Sequence, residues 1–410
     1  MSDRRIDRTI ARQGSVEAPV AGGTTDDAVS ARDVVFTFSY ETWSDAKWRG
    51  MMRPPERILT TLMNSDEVRR LLVANPWRWW PSSVARGMIG FTRRFPRTQH
   101  RHLVSPLRSD RADPTDVAGL QAAYAEYDRK LQHGVDHFGL ETPSVITASP
   151  VVAAFSPLDW AASVTYFGRD DWLSSPGRRA YWPAYREAYR RISASGIGVT
   201  AVSQQIIDRI APTGPHAVVP NGVEPAEWLG VQRPAPRWFA ALPKPRAVYV
   251  GTIDSRVDIE GLIALAKRRP DVSIVLLGTS QDAAGTAALR ELPNVHVHRA
   301  VGRHSVVSVL RAADLSLLAH RRTELTTAMS PLKVYEYLAA GLPVLATDLP
   351  PVRGLGDRVM LVDEVADFAD VLDAAFELGR ADEADRMRFV QQNSWASRHQ
   401  AILDIAFGRS

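Results

Sequence analysis

Hydrophobic positions along the chain gather into short, nearly continuous runs, separated by longer stretches with helical spacing. Asp33–Phe38, Arg69–Asn75, Arg101–Pro106, Ser144–Ser149, Ala162–Phe167, Ile197–Ser203 and His216–Gly222 read as strands buried on both faces. Gly119–Gly139 and Ala180–Ser195 carry the helical period between them. A second series follows: Arg246–Gly251, Val272–Gly278, Val295–His298, Ala313–Ala319, Pro343–Thr347 and Arg358–Val362. Strands alternating with helices predict parallel sheets, and so an α/β protein. The proline-rich stretch 225–245 has no sustained period and reads as a linker between domains at 33–224 and 246–384. Asp382–Phe407 is helical, with a break expected near Asn393 and Ser394.

One helix breaks a local rule. In "SPLKVYEYLAAGLPVLATDLP", Ser330–Pro350, Ser330 can cap, Pro331 suits the first helical position and Gly341 supplies a left-handed stop. Lys333 then lies in the first turn, where the backbone dipole is already positive. A bound phosphate would remove that conflict by meeting the free N–H groups and the ammonium together. Glu336, three residues on, shares the face and is placed to accept from ribose hydroxyls. A solvated lysine paired with Glu336 is the other reading of the same spacing.

Composition narrows the class. The chain has 410 residues, 45% hydrophobic and 23% charged, which suits a globular protein with two real cores. With no cysteine, disulfides and thiolate metal sites are excluded. Residues 1–32 lack an apolar run and read as a disordered tail, and no segment approaches the ~20 apolar residues of a membrane span. A cytoplasmic protein is therefore expected, peripheral at most to the inner face of the membrane. The net charge is only +4, but it is unevenly spread. Asn75–His102 mixes Trp77, Trp79, Trp80, Phe91 and Phe95 with Arg78, Arg86, Arg93, Arg94, Arg97 and Arg101, without one acidic residue. That mixture suits an anionic membrane surface or a lipid acceptor better than nucleic acid. A partly buried loop with solvated arginines has the same composition.

Taken in order, "TYFGRDDW" (Thr165–Trp172), "VVPNGVE" (Val218–Glu224), "VGTIDSRVDIEGL" (Val250–Leu262), "NVHVHRAV" (Asn294–Val301), "AADLSLLA" (Ala312–Ala319) and "MSPLKVYEYLAAGLPVLATDLP" (Met329–Pro350) resemble a GT-B glycosyltransferase. Within that fold the chain is similar to the family 4-like bacterial surface-polysaccharide transferases of the teichuronic-acid and xanthan-glucuronosyl kind. The resemblance covers roughly residues 33–408 and implies two Rossmann-like, doubly wound domains facing a cleft. The C-terminal helices, 385–410, would bridge back to the N-terminal domain. It also implies a nucleotide-sugar donor, a UDP-sugar favoured, bound by the second domain without a metal or other cofactor. Lys333 would neutralise the diphosphate, Met329, Ser330 and Pro331 would offer the helix start, and Glu336 would hold the ribose. Gly251 and Thr252 would let backbone approach the ligand, and the backbone near Val297 and His298 would line the base pocket. Arg256 is a second phosphate contact on this reading, or else an ion-pair partner of Asp254 or Asp258.

For the chemistry, the resemblance points to Asp170, with Asp171 as the alternative, as the base that takes the acceptor proton. A helix cap and a solvated turn residue are the rival roles for the two. Trp43 and Arg49, in the first loop of the N-terminal domain, would meet a saccharide or lipid-linked acceptor, or pack on their own domain. Many retaining relatives carry a glutamate eight positions before the ribose-binding one; here that position is Ala328, and Glu324 comes too early. The stereochemical outcome is thus left open. A GT-B nucleotide-sugar 2-epimerase and a non-catalytic membrane-docking subunit are the competing functions. A dinucleotide oxidoreductase ranks last, because neither first strand is followed by G-x-G-x-x-G.

Overall fold

The computed structural model describes residues 31–88, 90–111, 113–230 and 233–409. The tail expected at 1–32 lies outside the described residues except for its last two, and Arg32 already opens the first strand.

The strands are β1 (Arg32–Thr37), β2 (Val68–Ala74), β3 (Arg78–Trp79), β4 (Arg101–Val104), β5 (Leu107–Arg108), β6 (Ser144–Thr147), β7 (Ser163–Gly168), β8 (Gly198–Ala201) and β9 (His216–Val218) in the N-terminal half. The C-terminal half has β10 (Arg246–Val250), β11 (Ser273–Leu277), β12 (Val295–His298), β13 (Leu315–Leu318), β14 (Val344–Thr347) and β15 (Val359–Val362). The first sheet runs β4-β2-β1-β6-β7-β8-β9 and the second β12-β11-β10-β13-β14-β15. The pairings within both sheets are parallel. In each, the order reverses beside the first strand, at β1/β6 and at β10/β13. These are the two points where a doubly wound sheet opens a crevice at its carboxyl edge. The ribbon β3-β5 was not expected from the pattern, because two residues are too few to show a period.

Why the strand sequences are largely apolar is visible in the packing. Alternate residues of β1 enter different cores: Val34 and Phe36 join one side of the sheet, Val35 the other, and all three are fully buried. In β10, Val248 and Val250 face one core, Ala247 and Tyr249 the opposite one. Helices cover both faces, so the strand residues Thr37, Thr147 and Ser316 are buried and take hydrogen bonds, the two threonines with each other and Ser316 with the Pro343 carbonyl.

The stretch expected as a linker is not a free tether. Its short helices Pro225–Trp228 and Arg237–Ala240 insert Trp228 and Phe239, both fully buried, into the core of the second domain. The C-terminal segment breaks where the sequence placed the break. The helix Glu383–Gln392 sends Val390 into the second domain's core. After Asn393 and Ser394, the helix Trp395–Ala406 crosses to the first domain, where Ile402, Leu403 and Ala406 join Val34 and Phe36. His399 Nδ1 lies 2.6 Å from Thr61 Oγ1, and Ser163 Oγ donates to the Ala406 carbonyl at 2.6 Å.

Candidate active site

The second domain's reversal point is built around Lys333. The helix Leu332–Ala339 follows Pro331, which takes the capping position with extended backbone, and the turn ends at Gly341 with φ 75°. Ser330 is not the cap expected from the sequence. Its Oγ accepts the Asn221 N–H at 3.1 Å, and its carbonyl accepts from Asn221 Nδ2 at 2.6 Å. The "PNGV" turn of the first half therefore fixes the helix start of the second. Met329 leads into this junction, and among the described residues the N–H groups of Leu332 and Lys333 have no carbonyl partner.

Lys333 does not pair with Glu336. Its Nζ lies 3.0 Å from Tyr249 Oη and 3.0 Å from His320 Nε2, directly over the β10/β13 reversal. Tyr249 Oη donates to the Thr252 carbonyl at 3.0 Å. Burial, with Arg256 adding to it, pulls the Lys333 ammonium down to about 7, against the opposing pull of Asp254 and Glu336. Burial likewise holds His320 well below the ordinary imidazole value, with Lys333 and Arg256 contributing, so the imidazole is neutral. The cluster is a cation site short of an anion.

Glycine makes room for it. Gly251 has φ 144°, and a Cβ there would stand 3.0 Å from Lys333 Cε and 3.1 Å from Nζ. A Cβ on Gly278 would fall 1.9 Å from the Gly251 carbonyl oxygen. The loop after β10 can approach the ammonium only because both positions lack side chains.

Arg256 is in the ion pair foreseen as the alternative to a phosphate contact. Its Nε and Nη2 lie 2.9 and 2.6 Å from the two oxygens of Asp254. Glu336 is buried and turned to Arg303 Nη1 at 2.5 Å. Burial pushes the Glu336 carboxyl up, and the Arg303 guanidinium opposes it. Arg303 also holds Glu227 at 2.7 Å, and Glu227 meets Arg57 of the first domain at 3.1 Å. This chain of charges runs from one domain through the connecting helix to the donor side, and the sequence reading missed it. A signal was present: Arg303, like Lys333, is a cation at a helix start, just after Gly302. Val297 and His298 lie on β12, the edge strand. The His298 carbonyl accepts from Gly278 N–H at 3.0 Å, and its ring stacks on Trp238 with centroids 3.9 Å apart.

On the facing domain, Asp170 and Asp171 diverge just after β7. Asp171 is buried, bonded to Arg209 Nη1 at 2.6 Å, and accepts the Leu173 N–H at 3.2 Å. Burial pushes its carboxyl up against the pull of Arg209. Its environment is that of a turn anchor. The Asp170 side chain is 48% exposed, with Oδ2 3.1 Å from Arg169 Nε. Arg169 is itself held by buried Glu41 at 2.7 Å. The Arg256 guanidinium of the second domain is raised chiefly by Asp254, with the Asp170 charge a minor contributor.

The acceptor expectation for Trp43 is corrected. Trp43 is 2% exposed, edge-on to Phe95 at 4.8 Å, with Nε1 donating to the Arg94 carbonyl at 3.3 Å. Its position after β1 brings it into the first core, where an apolar ring gains most. Arg49 is partly exposed and paired with Glu56. The segment 75–102 divides: Trp77 and Phe95 are buried, whereas Trp80 and Met88 are 54% and 84% exposed. Among the described residues no helix is long and apolar enough to cross a membrane.

Comparison with known proteins falls on this geometry. Residues 244–377 match the family described as "Glycosyl transferases group 1". TuaH of Bacillus subtilis (strain 168), named as a teichuronic acid biosynthesis glycosyltransferase, is 27% identical over 261 residues, 61% of this chain and 61% of that one. The match thus spans less than two thirds of that relative's length. A trehalose-6-phosphate structure from E. coli bound with UDP-2-fluoro glucose superposes with TM-score 0.64 at 11% identity, over 91% of this chain and 99% of that one. Anabaena Alr3699/HepE in complex with UDP and glucose gives 0.53 at 15% identity, over 92% and 98%. The chain has the GT-B fold, and residues 244–377 of its second domain are similar to the glycosyl transferases group 1 family.

Proposed function

We propose that the protein transfers a sugar from a nucleotide-diphosphate sugar, a UDP-sugar, to a saccharide acceptor carried on a lipid at the cytoplasmic membrane surface. One observation carries the reading: the Lys333 ammonium, with two N–H groups of its helix start unpaired among the described residues, stands at the reversal point of the second sheet over two glycines that clear the approach. A diphosphate is the anion that this arrangement fits, in charge and in breadth. The donor class is supported by two relatives of the same fold, whose structures hold UDP or a UDP-sugar analogue.

In the step proposed, the acceptor hydroxyl oxygen bonds to the anomeric carbon as the bond from that carbon to the diphosphate breaks. Asp170 receives the hydroxyl proton, and Lys333 and the helix start receive the leaving charge. No metal is needed in this scheme, because the ammonium and the N–H groups meet the developing charge. Glu336, oriented by Arg303, would accept from the ribose. A base in this role predicts inversion at the anomeric carbon. The surface that meets the membrane would be residues 75–102, whose exposed Trp80 and Met88 lie among arginines.

Calorimetric titration with UDP, and transfer assays on the wild type and Asp170→Asn, test the reading. Expected are UDP binding in both forms and transfer reduced at least ~100-fold in the variant. Full transfer by Asp170→Asn would move the base elsewhere. Release of a 2-epimeric sugar without any acceptor would replace transfer by epimerisation.

A further inference from the structure

Among the cavities of the N-terminal domain, one is rich in arginine and plays no part in the donor site. It has a volume of about 270 Å³ and is lined by Arg78, Arg86 and Arg93 together with Asn75, Phe91 and Ser105. It lies where the chain leaves β1, β2 and β4, at the carboxyl edge of the first sheet, the same edge that carries Asp170 after β7.

Its charge is unbalanced. Asp45 lies 3.0 Å from Arg86 and 3.6 Å from Arg78, so one carboxylate serves two guanidinium groups. Arg93 has no carboxylate partner among the described residues. Its guanidinium lies 3.6 Å over the Trp48 ring, itself stacked on Phe91. Arg78 Nε is buried and, among the described residues, without a hydrogen-bond partner. Desolvation, with Arg86 repelling, pulls Arg78 below the ordinary guanidinium value. Arg78 and Arg86 share Asp45, Arg93 has no carboxylate, and Asp113, which also acts on Arg78, is taken by Arg108; with a donor left unmet, the site is completed by a further anion.

The surroundings say what that anion is attached to. The helix Trp80–Met88, which contributes Arg86, presents the exposed side chains of Trp80 and Met88 to solvent. Between residues 75 and 102 no acidic group opposes an approaching anionic surface. A free metabolite has no use for that apolar ridge; a lipid does.

We propose that this cavity binds the diphosphate of a lipid-linked acceptor, whose alkyl chain passes out over Trp80 and Met88. This rests on the transferase reading above and extends it by assigning the acceptor's anionic group to Arg78, Arg86 and Arg93. The saccharide beyond the diphosphate is then delivered along the sheet edge toward Asp170.

The test is calorimetry on the full chain with a short prenyl diphosphate, with inorganic pyrophosphate and with UDP. The two diphosphates are titrated with UDP present and again in a Lys333→Met background, so that the donor site does not contribute. Arg93→Ala and Arg86→Gln alter exposed or half-exposed side chains, which keeps the fold out of the comparison. Expected is prenyl diphosphate binding weakened about tenfold or more in each variant, with UDP affinity unchanged. Unchanged prenyl diphosphate affinity in both variants, or no binding by the wild type, would overturn the assignment. Pyrophosphate binding as tightly as the prenyl form would overturn the lipid source. Failure of UDP to bind the wild type would strike the donor reading instead, since the Lys333→Met titrations still decide the cavity.

Discussion

Lys333 should take up a proton when a diphosphate arrives. In the ligand-free protein its pKa is pulled down to about 7, first by burial and then by Arg256. A diphosphate beside the ammonium favours the charged form and returns the pKa toward or above its ordinary value. Binding is then linked to protonation between these limits. At pH 6 about nine tenths of the free protein is already charged at Lys333; at pH 8 about one tenth is. The affinity for a nucleotide-sugar should therefore fall about tenfold between those values, close to 1.4 kcal/mol. A nucleotide-sugar is the better probe because its phosphates do not titrate in this range, whereas a terminal phosphate does. Calorimetry at pH 8 in two buffers of different ionisation enthalpy should report nearly one proton taken up per donor bound. In Lys333→Met both the uptake and the pH dependence should vanish. An affinity flat from pH 6 to 8 in the wild type, or the same slope in Lys333→Met, would refute the argument. The free protein should show the opposite sign. Its folded state disfavours the charged lysine, so the Lys333 contribution to stability is smallest below pH 7 and rises as pH climbs toward 10.5.

Gly251→Ala would place a methyl 3.0 Å from Lys333 Cε at a backbone angle that other residues avoid; UDP affinity should drop about tenfold or more, read by calorimetry, while far-ultraviolet circular dichroism stays as in the wild type. Arg303→Gln would remove the cation that orients Glu336 and opposes the rise that burial imposes on its carboxyl, so UDP affinity should weaken several-fold while pyrophosphate, which has no ribose, binds as before; equal losses for both would assign Arg303 to the phosphate instead. Ile402→Ala should cost about 2–5 kcal/mol in denaturant unfolding of the first domain, because Ile402 is fully buried among residues of its sheet; a change under ~1 kcal/mol would mean that the last helix is not part of that core.

The strands of both sheets were legible because both faces of the central strands are covered, which leaves a mostly apolar run in each; the edge strands β4, β9 and β12 carry Arg101, His216, and His296 and His298. Boundaries moved by one to four residues: Asp33–Phe38 became Arg32–Thr37, and His216–Gly222 shortened to His216–Val218. Lys333 was legible as a misplaced charge. Its partners were not, since Tyr249 lies 84 residues away and His320 arrives from another strand end. For Glu336 the sequence offered a ribose contact or, as the alternative, a pairing with Lys333 at helical spacing. The structure gives it to Arg303, because a buried carboxylate takes the cation that packing brings to it rather than the one nearest in sequence. Trp43 shows the same limit in reverse: a loop position near the cleft suggested a ligand face, and the first core claimed the ring.

The helix Trp395–Ala406 gives the order of synthesis a physical consequence. The sheet of the first domain is complete at Val218, yet Ile402, Leu403 and Ala406 are needed to close one of its two cores. At roughly 5–20 residues per second, a ribosome needs on the order of ten seconds or more to supply them after that sheet has emerged. During that interval Val34 and Phe36 have no finished cover on one face. The nascent chain is then a substrate for chaperones that shield apolar surface, and the second domain must fold beside an unfinished first one. A nascent chain arrested before residue 395 should therefore be cleaved by protease within the first sheet, and one arrested well beyond it should resist.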